Sequence, residues 1–259
     1  MKTLSFETTA VAVRSARLPE AFSGFTIVHL SDLHNASFGE GQRPLLEEIR
    51  RQTPDIIVIT GDIIDSKNYL HALTLVRGAA EIAPMFYATG NHEAHTGGYP
   101  LLEAEMAACG AHILRNTYVK LTRKSSTILL AGADDPSFKP FRKTAAVMSE
   151  NLQAIQLNYD FFTILLSHRP DLLRVYAAFG FDVVLCGHAH GGQIRLPRGR
   201  GLIAPNQGLF PRYTAGLHRT GRTQMVISRG LGNRLLPLRV NNRPELLCLK
   251  LYPLPSGTE

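Results

Sequence analysis

PDIIVITGDIID, residues 54–65, runs apolar without a break from Ile56 to Ile59 and closes on two carboxylates around a pair of isoleucines. A half-buried strand alternates, whereas apolar residues at every position mark a strand covered on both faces, as in the parallel sheets of α/β proteins. Working outward, FTIVHLS (25–31) and MFYAT (85–89) read as further strands, and QRPLLEEIRRQ (42–52), NYLHALTLVRGAAEIA (68–83) and PLLEAEMAACG (100–110) have helical spacing. STILLAGAD (126–134), FFTILLS (161–167) and DVVLCG (182–187) continue the strands, with helices expected over 142–157 and 170–178. Past Gly187 the helical signal stops, and QIRLP (193–197), TQMVIS (223–228) and LLCLKLY (246–252) read as strands between Gly- and Pro-rich loops. There is no internal repeat and no linker. The pattern predicts one α/β domain over residues 1–259 with a β-rich final third.

Five of these strands deliver a polar side chain at their C-terminal end. FTIVHLS runs into Asp32-Leu33-His34, DIIVIT into Gly61-Asp62, MFYAT into Gly90-Asn91-His92-Glu93, FFTILLS into His168, and DVVLC into Gly187-His188-Ala189-His190. In open α/β sheets that edge is where ligands bind. Carboxylate, imidazole and carboxamide oxygen without cysteine suit Mn, Fe or Zn and argue against a structural zinc site. Asp32, His34, Asp62, Asn91, His168, His188 and His190 are too many donors for one ion. If Asp62 is shared, they divide into two sites, and two ions about 4 Å apart can clamp a phosphoryl group during in-line displacement. The alternation in GHAHGG (187–192) then lets His188 and His190 each reach a different metal.

Composition narrows the setting. Hydrophobic residues make up 44% of the 259, near the globular average. No apolar run is long enough to span a bilayer, and the N-terminus lacks a signal-peptide block. Cys109, Cys186 and Cys248 read as free thiols of a reducing compartment, so a cytoplasmic location is expected. Residues 195–259 hold 11 basic and 2 acidic side chains, against 17 and 19 in residues 1–194. That tail is either a solvated basic face or a surface that attracts polyanions such as phosphorylated substrate, anionic lipid or nucleic acid.

DLH, GDIID, GNHE, the lone His168 and GHAH, in this order over residues 32–190, resemble the five signature blocks of the calcineurin-like metallophosphoesterase superfamily. The resemblance implies a four-layer α/β/β/α sandwich with two mixed sheets and a pair of divalent metal ions (Mn, Fe or Zn). It implies that Asp32, His34 and His190 bind one metal and Asn91, His168 and His188 the other, with Asp62 shared. His92 is then the histidine beside the scissile phosphate, Asp65 the acid that pairs with it, and Glu93 an outer supporting residue. GHAHGGQIRLP, APNQGLFPRYTAGLH and MVISRGLGNRLLPLRVNNRPELLCLKL further resemble the C-terminal pattern of a bacterial, partly membrane-associated phosphodiesterase branch. The expected activity is hydrolysis of a phosphodiester or diphosphate by hydroxide held between the metals, on a phospholipid-like or nucleotide-sugar-lipid substrate.

Unlike the anchored members, this sequence starts almost at its first predicted strand, so any contact with the inner face of an anionic membrane is expected to be peripheral, through the arginines. Arg169, Arg195 and Arg212 are candidate substrate contacts, Arg169 alternatively as partner of Asp171. The loop Pro205–Leu217 is expected to shape the pocket. His29, His71 and His112 read as packing residues, His95 and His218 as loop surface or cleft, and Asp134 and Asp135 carry no assigned role. Two alternatives stand beside the hydrolase. A nuclease or cyclic-nucleotide-type phosphodiesterase would use the basic tail, although its only aromatics are Phe210, Tyr213 and Tyr252. A silent protein-binding scaffold would have lost motif residues, and none is missing.

Overall fold

Two six-stranded mixed sheets lie face to face in the computed structural model, which describes residues 5–65, 68–233 and 239–254. The first contains β1 (Glu7–Ser15), β2 (Phe25–Leu30), β3 (Ile56–Thr60), β4 (Met85–Ala88) and β5 (Ala111–Ile113). The second contains β6 (Thr117–Arg123), β7 (Ser126–Gly132), β8 (Thr163–Leu166) and β9 (Val183–Cys186). A separate two-stranded ribbon follows, β10 (Ile203–Ala204) with β11 (Gly208–Leu209). β12 (Gly216–Thr220) and β13 (Thr223–Ile227) then join the second sheet beside β9, and β14 (Glu245–Pro253) returns to the first, between β1 and β2. β2, β3, β4 and β5 are parallel, as are β7, β8, β9 and β13, while β14 on β2, β6 on β7 and β12 on β13 are antiparallel.

Strand parity builds the layers. In β3, Ile57 and Ile59 enter an outer core with α1 (Arg43–Arg51), α2 (Leu70–Ala80) and α4 (Tyr99–Ala108), which follows the short α3 (Asn91–His95). Ile56 and Val58 face the other way, into a core shared with Ile164, Leu166, Val183 and Leu185 of the second sheet. Leu165, Val184 and Cys186 point outward again, against Met148 and Leu152 of α5 (Thr144–Ile155) and Leu173 and Tyr176 of α6 (Leu173–Phe179). The layers therefore run helices, sheet, sheet, helices, the expected sandwich, and strands apolar at every position are those with a core on each side. In α1 only Leu45 and Ile49, four apart, are buried; Leu46 packs partly against the same core, and the remaining positions are Pro44, arginines and glutamates.

The structure departs from the sequence reading at the sheet margins. β1, β5, β6 and β12 were not expected as strands. β1 and β6 alternate half-buried and exposed positions with Thr, Ala, Arg and Lys among them, so they lack the apolar run that marks their neighbours. The first strand therefore precedes Phe25. Residues 193–197 do not form a strand, making only isolated bridges, Ile194 with Val240 and Arg195 with Gly201. Cys109, Cys186 and Cys248 are free, as expected. Among the described residues no helix is long and apolar enough to cross a membrane. Arg234 of the arginine-rich stretch lies outside the described residues.

Candidate metal centre

The ends of β2, β3, β4, β8 and β9 bring the expected donors together. Asp32, His34 and His190 form one group, Asp62, His168 and His188 a second, and His34, Asp62 and His92 a third between them. Within each group the ligand atoms all lie within 4.8 Å of one another. Asp62 Oδ2 stands 3.1 Å from His168 Nε2, 3.9 Å from His34 Nε2 and 3.8 Å from His92 Nε2. Asp32 Oδ1 is 3.4 Å from His190 Nε2 and 4.0 Å from His168 Nε2. Asn91, at the start of α3, has a buried Oδ1 without a hydrogen-bond partner. Such an orphaned acceptor needs an explanation, and a cation supplies one.

The backbone is bent to make this convergence. Asp32, His34, Asp62, His188 and His190 all have positive φ, between 45° and 66°, a region costly for residues other than glycine. Backbone amides hold the carboxylates: His188 N donates to both Asp32 oxygens at 3.0 Å, and His92 N donates to Asp62 Oδ1 at 2.9 Å. Glu93 ties the β3 and β4 loops together, accepting from Asp62 N and Ile63 N at 2.9 Å and from Gly90 N at 2.7 Å. His168 Nδ1 donates to Thr60 O at 2.7 Å, leaving Nε2 toward the carboxylates, the usual tautomer control of a ligating imidazole. A Cβ at Gly187 would overlap Ser31 Oγ and Asp32 Oδ2. Gly187→Ala is therefore expected to cost about 1–3 kcal/mol and to push Asp32 away, read as a lower melting temperature together with lost metal binding.

Protonation favours a cation. Burial holds His34 and His188 down to about 3 and lowers His190, so all three are neutral, as ligands must be. Burial opposes ionisation of Asp32 and Asp62, but the histidines around them keep both carboxyls below the usual range. Burial would also lower His168, yet Asp62 and Asp32 raise it to about 10. A divalent ion among these carboxylates would take over the neutralisation that the His168 proton provides.

Residues 25–192 match the calcineurin-like phosphoesterase family. The chain belongs to that family. It is 34% identical over 254 residues to the metallophosphoesterase YkuE of Bacillus subtilis, covering 95% of this chain and 85% of that one. It is 30% identical over 236 residues to the phosphodiesterase YaeI of Escherichia coli, covering 88% and 82%. The phosphopantetheinyl hydrolase PptH of Mycobacterium tuberculosis shares the fold, with a TM-score of 0.51 at 12% identity over 80% of this chain and 89% of that one. This phosphoesterase is thus a metal-dependent hydrolase of phosphoric esters.

Other expected site residues take different places in the phosphoesterase. Asp65 is exposed, and the carboxylate beside His92 Nε2 is that of Asp62. Arg169 is buried and grips Asp135 rather than Asp171, with Nε donating to Oδ2 at 2.7 Å and Nη2 to Oδ1 at 3.0 Å. Arg195 is half-buried near Arg229, Glu245 and Glu7. Arg212 is exposed and lies 5.2 Å over the Tyr213 ring. His29 is buried against Thr60 Oγ1 at 2.7 Å, a packing residue as expected, and Asp134 pairs with Arg115.

Three residues beside the centre were missed. The Asn206 amide lies 3.0 Å from His188 Nε2, Arg239 Nη2 lies 3.4 Å from His190 Nδ1, and Asn242 donates to His190 O at 2.8 Å. All three sit in loops without periodicity; the loop Pro205–Leu217, expected to shape the pocket, contains Asn206, and the surplus of arginine hinted at Arg239. Glu93 was expected only from the motif. Because glutamine keeps one acceptor oxygen where Glu93 uses two, Glu93→Gln is expected to weaken metal affinity about 10–100-fold, measured by titration with Mn or Zn.

Proposed function

We propose that this phosphoesterase uses a pair of divalent metal ions to hydrolyse a phosphodiester or diphosphate that carries an apolar group. Asp32, His34 and His190 would hold one ion, Asn91, His168 and His188 the other, with Asp62 touching both. The observation that carries this reading is the position of Asp62, which belongs to two of the three donor groups, one of which it shares with His34. When bound, two such ions supply Lewis-acid stabilisation of the phosphoryl oxygens and activate water for in-line attack.

The chain's own residues do the rest. Thr60 O and the amides of His92 and His188 fix the donors before substrate arrives, which limits reorganisation during reaction. His92 is packed edge-on against His34, with ring centroids 4.6 Å apart, and its Nε2 faces the centre beside Asp62. There it can donate a proton to the leaving oxygen. The two sheets share one core, which supports reading the chain as one domain. Bound Mn, Fe and Zn should be measured and turnover of an aryl phosphodiester compared before and after chelation. Activity that survives complete metal removal would sink the proposal, and equal turnover of monoesters, diesters and lipid diphosphates would sink the substrate preference.

A further inference from the structure

Exposed apolar side chains scattered singly are ordinary, so their placement matters more than their number. Among the described residues eight large ones are exposed, and six of them are Leu70, Leu101, Phe141, Ile203, Leu209 and Phe210. Leu70 opens α2 after β3, Leu101 lies in the first turn of α4 after β4, Phe141 precedes α5 after β7, and Ile203 and Leu209 lie on the ribbon after β9, with Phe210 directly following it. Five of the six are on segments leaving strand ends that carry the metal donors, and Phe141 follows β7, which runs parallel to β8 and leaves the second sheet at the same edge. Ile203 and Leu209 are cross-strand partners and so share a face, while the intervening Ala204 is buried in the core. The turn of the same ribbon carries Asn206, which touches His188.

Charge completes the pattern. Arg198, Arg200 and Arg212 are exposed on the chain leading into and out of this ribbon, and between Arg195 and Pro244 there is no acidic residue. The apolar residues come from four separate segments, singly at Leu70, Leu101 and Phe141 and as the small cluster Ile203, Leu209 and Phe210, with Phe141 fully exposed and Leu209 at 67%. Protruding apolar tips among arginines suit insertion into a headgroup layer better than the contiguous packed patch of a protein interface.

We propose that the rim of the metal centre is a docking surface for an anionic lipid bilayer, which brings the centre onto phosphate esters held in that layer. The inference deepens the proposed preference for a substrate with an apolar group and rests on that reading for its purpose, but vesicle binding is measured without turnover. The full chain should be sedimented with vesicles of phosphatidylcholine alone and of equal parts phosphatidylcholine and phosphatidylglycerol. Binding to the anionic vesicles only is expected, weakening as salt is raised. Leu209→Ser with Phe210→Ser should weaken it about tenfold or more. Phe141→Ser should also weaken it while leaving turnover of a water-soluble aryl phosphodiester unchanged.

No association with anionic vesicles would overturn the inference, as would apolar variants that bind like the parent, or self-association of the chain through this rim in place of vesicle binding. Asp62→Asn should bind vesicles normally. Intact vesicle binding without hydrolysis of any phosphodiester would support the docking surface and remove only the substrate reading.

Discussion

Asp62→Asn is expected to cut phosphodiester turnover by at least about 10³-fold, the scale on which loss of one preorganised charge-stabilising group acts, with the fold retained. The substitution is isosteric, and the asparagine Oδ1 can still accept from His92 N, the 2.9 Å bond that places the loop. What changes is Oδ2, which faces His168, His34 and His92 together. An amide nitrogen there cannot ligate and carries no charge, so only Asp32 is left as a carboxylate in the three donor groups. Bound metal should fall along with kcat, while the circular dichroism spectrum of the metal-free protein stays as in the parent. A variant with full metal content and kcat within about tenfold of the parent, a barrier change near 1.4 kcal/mol, would show that Asp62 is not the shared ligand.

The residues that could be read from the sequence are those whose physics is local. Ile56 to Ile59 are apolar at every position because a core lies on each side, and that demand leaves its mark in four consecutive letters. Donors immediately after such runs inherit their position from the strand, so Asp32, Asp62, Asn91, His168 and His188 could be placed on one edge without coordinates. Arg239 and Asn242 could not, and Asn206 only as part of the loop Pro205–Leu217. They reach the histidines through irregular backbone, where neither periodicity nor spacing reports direction. The margins of the sheets were equally hidden, because β1 pairs over its whole length with β14, more than 200 residues away in sequence, and exposes alternate side chains. Arg169 shows the opposite error. Its neighbour His168 suggested a role in the site, yet adjacent residues on extended backbone point to opposite sides.

Arg169 therefore acts as a structural post, and Arg169→Ala is expected to lower stability by about 3 kcal/mol or more, since it leaves a buried carboxylate without its partner. Asp135 is 1% exposed, and burial pushes its carboxyl up while Arg169 pulls it below the usual range. Arg169 also donates to Ser137 Oγ at 2.9 Å, so the guanidinium is engaged on two partners. At roughly 2–4 °C per kcal/mol for a chain of this size, the melting temperature should fall by roughly 6–12 °C. A depressed carboxyl contributes stability above its unfolded value that is lost as pH falls through its folded value, whereas in the variant burial leaves Asp135 easier to protonate than in the unfolded chain. The gap between parent and variant should thus be widest near neutrality, begin to close above about pH 4 as the variant's Asp135 takes up its proton, and continue to close as pH falls further. Arg169→Met combined with Asp135→Asn removes both charges and keeps the acceptor for Ser137 N, so it should recover much of the loss. A raised KM at an unchanged melting temperature would instead return Arg169 to the substrate, and the pair would then have to open when substrate binds.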